Sequence, residues 1–234
     1  VKDLQSVGKK YLTEKNRMVF TLMPEVETPK TDAPKAAVSA NVTAQQVIDN
    51  YAAALGGKSK LEAVKTVKTL STIKVMGMEM EATTLEMAPN KSKAVQKIMG
   101  QEMVQVFDGE KGYMMQAGQR MDLPAPAIEE AKKKRLFEVL SYNPADFKTV
   151  EKVTEEGKEL YLLAGAGKKL YFDTKTNLLV KSTSDKGDMV ILDYMEVDGI
   201  KFPKNLKLAM MGQNMEMTNN QVIVNKEVSA EDFK

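Results

Sequence analysis

Residues 171–180, Tyr171-Phe172-Asp173-Thr174-Lys175-Thr176-Asn177-Leu178-Leu179-Val180, read as a β-prone run, a polar turn and a second β-prone run. Asp, Thr and Asn suit the turn because their short polar side chains bond to nearby backbone. The same unit recurs on both sides. Turn signals fall at Pro89-Asn90, Asp108-Gly109, Glu156-Gly157, Asp185 to Asp188 and Asp198-Gly199. Many lie roughly 10–18 residues apart, the rhythm of an antiparallel meander. Strands therefore run from about Val67 to about Val224. One helix is expected to interrupt them. Pro124 and Pro126 start it, and Ile128, Ala131, Leu136, Val139 and Leu140 give its apolar face. The fold class is α+β: a strongly curved antiparallel sheet, an unclosed β-barrel of about 9–11 strands, with helices in the concavity.

Upstream of the meander, Thr43 and Gln46 form a capping-box pattern. Val47, Ile48, Tyr51, Ala52 and Leu55 follow at helical spacing, and Gly56-Gly57 ends the helix. Ser59 and Glu62 repeat the capping pattern for a short turn carrying Leu61 and Val64. Residues 27–42 are rich in Pro, Ala, Thr and Lys without an apolar period, and read as a linker. Before it, residues 1–15 have a helical pattern on Leu4, Val7, Tyr11 and Leu12. The run Met18 to Met23 then reads as a short strand stopped by Pro24. The chain opens at Val1 inside this amphipathic pattern, so it is expected to be a piece of something longer.

Composition narrows the function. The chain has no histidine and no cysteine, which removes imidazole and thiol catalysis and disulfides. A catalytic zinc needs three protein ligands, usually dominated by His. EF-hand spacing is absent, and Asp185 to Asp188 reads as a turn. A serine nucleophile has neither a His base nor a Gly-x-Ser-x-Gly context. Gly165-Ala166-Gly167-Lys168-Lys169 looks like a phosphate loop but lacks its spacing and lies between strands, so it reads as a hairpin turn. The formal charge of +2 argues against nucleic acid as a partner. The basic run Lys132-Lys133-Lys134-Arg135 is explained by helical pairing with Glu129 and Glu130, the alternative being a headgroup or partner patch. No apolar run is long enough for a membrane-spanning helix, and no stretch has a signal-peptide pattern.

Methionine is abundant, at 17 residues against no tryptophan, so the apolar interior is deformable. Three strings place Met beside Gly at a hairpin tip: Met76-Gly77-Met78-Glu79-Met80, Met99-Gly100-Gln101-Glu102-Met103 and Met211-Gly212-Gln213-Asn214-Met215-Glu216-Met217. Met78 with Met80, and Met215 with Met217, each share a strand face. They could fill a core, line a cavity for an apolar ligand, or offer thioethers to copper(I). The expected apolar lining is Met78, Met80, Met103, Met115, Leu163, Met215 and Met217.

Two resemblances add to this reading. Residues 43–234 resemble the periplasmic lipoprotein-carrier superfamily, the LolA/LolB-like fold. The likeness rests on Phe107-Asp108-Gly109-Glu110-Lys111-Gly112-Tyr113, on residues 171–180, on Asp193-Tyr194-Met195-Glu196-Val197-Asp198-Gly199-Ile200-Lys201-Phe202-Pro203, and on the closing Asn225 through Phe233. It implies an unclosed barrel whose concave face carries helices and can hold acyl chains. Residues 1–26 resemble the last helix and strand of a pitrilysin/insulinase-type zinc peptidase domain, through Val7-Gly8-Lys9-Lys10-Tyr11-Leu12, the polar turn Thr13 to Arg17 and a β run closing on Pro24. The peptidase motif His-x-x-Glu-His is absent, so this second likeness implies only a covalent origin.

Three functions follow as expectations. The first is a non-catalytic C-terminal accessory domain of a cell-envelope zinc peptidase, binding substrate, a partner or an apolar ligand. Its catalytic zinc would lie in an upstream peptidase domain, so no cofactor is expected here. The second is a stand-alone periplasmic or outer-membrane-associated carrier of lipid or lipoprotein in a Gram-negative envelope. The third is an enzyme working with carboxylates alone.

Overall fold

Tight turns dictate the architecture. Met76-Gly77, Ala117-Gly118, Glu156-Gly157, Ala166-Gly167 and Asp198-Gly199 each have positive φ at both residues. That is the signature of two-residue hairpin turns whose twist matches the flanking strands. Each turn forces two consecutive strands to pair. The computed structural model describes residues 35–39, 41–98, 100–210 and 212–234. Among these, a single antiparallel sheet of 14 strands has the order β1-β8-β9-β10-β11-β12-β13-β14-β2-β3-β4-β5-β6-β7. The strands are β1 (Lys35–Ser39), β2 (Thr66–Val75), β3 (Met78–Met87), β4 (Lys91–Ile98), β5 (Gln101–Phe107), β6 (Gly112–Gln116) and β7 (Gln119–Asp122). The second set is β8 (Thr149–Glu155), β9 (Lys158–Gly165), β10 (Lys168–Asp173), β11 (Leu179–Ser184), β12 (Gly187–Val197), β13 (Ile200–Met210) and β14 (Gln213–Val224). β1 and β7 are the two edges, so the curved sheet stays open.

One face of this sheet carries the helices. In α1 (Ala44–Leu55), the Thr43 hydroxyl accepts from the Gln46 backbone at 3.2 Å, and the Gln46 side chain accepts from the Thr43 backbone at 2.9 Å. The expected capping box is therefore formed. α1 ends at Gly56, where a Cβ would lie 2.6 Å from the Gly199 carbonyl. Val47, Ile48, Tyr51 and Leu55 are buried against Leu163, Phe172, Ile200 and Phe202 of the sheet. Each such side chain contributes about 1.5–3 kcal/mol on burial, and this cluster is the main core. α2 (Lys58–Ala63) follows, capped by Gly57 rather than by Ser59.

The structure corrects the sequence reading in three places. Lys35–Ser39, inside the expected linker, pairs with β8 as β1. The open curved sheet is as expected, but it has 14 strands among the described residues against the expected about 9–11, and the fold is mostly sheet. The helix expected over residues 124–140 is two elements. α3 (Ala125–Lys133) stops where Lys134 turns extended, and a 3-10 turn (Glu138–Ser141) follows. The break has a packing cause. No residue of α3 is buried, whereas Phe137 and Val139 are, with the Phe137 ring 5.6 Å from that of Phe202.

The opposite face also has apolar ground. The C-terminal turn Ala230–Phe233 sets Phe233 on Leu85 and Val106 of β3 and β5. Residues 1–26, read as a helix and strand, lie outside the described residues.

Candidate apolar binding face

Directly paired residues of neighbouring strands share a face, and alternation along each strand repeats it. The pairings Leu206–Met217, Met217–Ile73 and Ile73–Met80 make one row across β13, β14, β2 and β3. Leu208–Met215, Met215–Val75 and Val75–Met78 make the next. Leu206 lies in the core beneath α1, so both rows belong to the helix-bearing face. Ala82–Gln96 and Gln96–Met103 carry that face to β5, which places Met103 on it. These methionines are not sealed in. Met78 is 39% exposed, and Met80, Met103, Met215 and Met217 are half-buried.

Two expected lining residues fall elsewhere. Met115 pairs with Val104 and Arg120. Val104 packs with Phe233 on the outer face, so Met115 points there too. Its neighbour Met114, paired with Gln105 and Met121, takes the inner position. Two adjacent methionines must face opposite ways, and only the register says which faces in. Leu163 is on the inner face but fully buried beneath α1. It is core, out of a ligand's reach while α1 is seated. The Met76-Gly77 tip has the expected turn geometry, and Gly100 and Gly212 also have positive φ. Met99 and Met211 lie outside the described residues.

α3 lies between the two halves of the sheet. Asn90, in the β3–β4 turn, donates its side-chain amide to the Lys132 carbonyl at 3.3 Å. Lys186, in the β11–β12 turn, pairs with Glu130. Glu129 pairs with Lys132 at 3.1 Å. The expected i,i+4 pairing of Glu129 and Glu130 with Lys133 and Lys134 is thus replaced by an i,i+3 pair and a long-range pair. Among the described residues, α3 is tied down by polar contacts while burying no side chain.

Glu86 lies on the inner face, paired with the buried Val67. Burial pushes its carboxyl up, and the nearby Lys134 ammonium only partly opposes this. Well below the usual carboxylate range Glu86 is protonated in both folded and unfolded chains and costs nothing. As pH rises from the usual carboxylate range to the raised folded value, the unfolded chain gives up a proton that the folded chain keeps, and stability falls. Glu86→Gln is therefore expected to raise Tm at pH 7 and to change it little at pH 3. An equal shift at both pH values would rule out charge burial as the cause.

Tyrosines of the core are neutral structural groups. The Tyr194 hydroxyl donates to the Leu179 carbonyl at 2.8 Å, and burial raises Tyr51 to about 12.

Two clefts flank this face, and neither was visible in the sequence. One of about 540 Å³ is bounded by Leu61, Val64, Leu136 and Leu140, with Lys65, Glu62 and Arg135 at its rim. The other, about 420 Å³, is polar, with Lys168, Ser182, Ser184 and Glu138.

No protein-family model and no curated protein matches this chain. Solved structures do. A DUF1329 family protein from Desulfovibrio piger is 8% identical with a TM-score of 0.53, over 82% of this chain and 97% of that one. A putative outer membrane lipoprotein-sorting protein domain from Vibrio parahaemolyticus is 10% identical with a TM-score of 0.53, again over 82% and 97%. This chain has their fold. The lipoprotein-carrier likeness of residues 43–234 thus holds at the level of architecture. The comparisons give no support to the peptidase likeness of residues 1–26. Among the described residues, no helix is long and apolar enough to cross a membrane.

Proposed function

We propose that this domain is a carrier-like binding protein of the Gram-negative cell envelope, seating an apolar chain such as the acyl group of a lipid or lipoprotein. The carrying observation is the pair of Met-rich rows, Met78–Val75–Met215–Leu208 and Met80–Ile73–Met217–Leu206, set beside the α1 core with their methionines accessible. Thioethers adapt to irregular apolar shapes, so such a surface accepts acyl chains of differing length. The shared fold with a lipoprotein-sorting protein domain supports the reading. With no histidine or cysteine, the chain lacks imidazole and thiol catalysis, which favours a binding role. The peptidase accessory-domain reading rests on residues 1–26 alone.

Uptake of a fluorescent fatty acid tests this. The full chain is expected to bind it, and the double variant Met78→Gln/Met80→Gln to bind about tenfold more weakly, a loss of about 1.4 kcal/mol. Met115→Gln, on the outer face, is expected to leave binding unchanged. No uptake by the unmodified chain, or equal losses in both variants, would sink the proposal.

A further inference from the structure

The early end of α3 leaves cations without partners. Lys132 is engaged by Glu129, and Glu130 is drawn away to Lys186. Lys133, Lys134 and Arg135 therefore have no ion-pair partner among the described residues, and all three are exposed. Lys134, extended, and Arg135 follow directly on the helix, and Arg135 is at the rim of the cleft of about 540 Å³. Lys65 stands on the same rim, its ammonium donating to the Glu62 carbonyl at 3.3 Å. Glu62 at the rim, Glu86 near Lys134, and Glu130, which lies near Lys133 and Lys134 but is held by Lys186, are the acids facing this group. The four cations outnumber them. The chain as a whole is nearly neutral, so this excess is local.

The walls complete the chemistry. Leu61 and Val64 are buried floor, and Leu136, Leu140 and Pro89 line the sides. A guanidinium beside an apolar wall matches a phosphate joined to hydrocarbon: the planar fork takes two phosphate oxygens while the leucines meet methylenes. We propose that this cleft and the Lys133-Lys134-Arg135 run at the end of α3 dock the domain on a membrane, seating the anionic headgroup of a bilayer lipid. The site goes beyond the apolar-chain reading, because it serves contact with the bilayer rather than holding of the cargo.

Co-sedimentation of the full chain with vesicles tests it. Binding is expected to vesicles containing about a third phosphatidylglycerol in phosphatidylcholine, and to weaken as salt is raised. Vesicles of phosphatidylcholine alone are expected to bind at least tenfold less. The charge reversal Lys133→Glu/Arg135→Glu is expected to cost tenfold or more on the anionic vesicles. The matched control Lys97→Glu/Lys158→Glu, with both sites exposed and away from the cleft, is expected to cost less than about threefold. Equal binding to both vesicle types, or equal loss in the two double variants, overturns the proposal. Binding of soluble polyglutamate as tight as that of anionic vesicles, at equal charge, would assign the site to an acidic polypeptide and overturn it too. Fatty-acid uptake is measured without vesicles, so failure here leaves the cargo reading standing, and failure there leaves this one.

Discussion

Phe172→Ala is expected to lower the stability of the folded chain by about 3–5 kcal/mol, the range for emptying a large buried aromatic site. Phe172 is fully buried on β10. Its ring meets that of Tyr51 edge-on, with centroids 5.2 Å apart, and so joins α1 to the sheet. Truncation removes apolar area and opens a cavity between two elements that cannot both close on it. α1 holds the sheet by apolar contact, so few polar contacts would compensate. Urea unfolding followed by circular dichroism measures this, with the midpoint falling and the slope unchanged. A loss below about 1 kcal/mol would mean that α1 is not seated on Phe172 as described.

Gly165→Ala is the second large effect, expected at about 3 kcal/mol, the upper part of the range for forced overpacking. A Cβ there would lie 1.9 Å from the Asp146 carbonyl oxygen and 2.8 Å from the Phe147 Cα. Both are backbone atoms, so no side-chain rotation relieves the clash. Gly167, two residues on in the same hairpin, is the internal comparison. A Cβ there meets nothing within 4 Å, and only its φ of +74° penalises alanine. That penalty is about 1 kcal/mol. In thermal melts Gly165→Ala should therefore fall well below Gly167→Ala. If the two melt together, the close approach of residues 146–147 to β9 is wrong.

The contrast between those glycines shows what a sequence can disclose. Ala166-Gly167 reads as a turn because positive φ is a local demand, and so do Glu156-Gly157 and Asp198-Gly199. The capping box of Thr43 and Gln46 is equally local and equally legible. Gly165 gives no such signal, because its reason is a backbone segment nearly twenty residues away. β1 escaped notice because Lys-Ala-Ala-Val-Ser has little strand character of its own, and its pairing is supplied by β8. The helix over residues 124–140 misled because Leu136, Val139 and Leu140 continue a helical period that the sheet overrides. Four of the seven proposed lining residues sit in pairs, Met78 with Met80 and Met215 with Met217, whose common face follows from alternation alone. Met115 required knowing which of two adjacent methionines faced in, and that depends on β5 and β7 on either side. The cationic cleft depends on where α3 stops, which only tertiary packing decides.

The order of the sheet bears on how the chain reaches this state. β2, the second described strand from the amino end, is completed only when β14 lies beside it, joining Val67 to Val224. Every other junction between neighbouring strands, β1 with β8 apart, is between consecutive strands. During synthesis the hairpins from β2 to β7 can form at once, yet β2 keeps a bare row of amides and carbonyls until nearly the whole domain has been made. Such a row invites pairing with another chain. Closing so long a loop is also slow, since entropy is lost before the contacts that reward it appear. The β2–β14 junction is thus the step at which half-made molecules are most exposed to mispairing, and a chaperone would protect them most at this point.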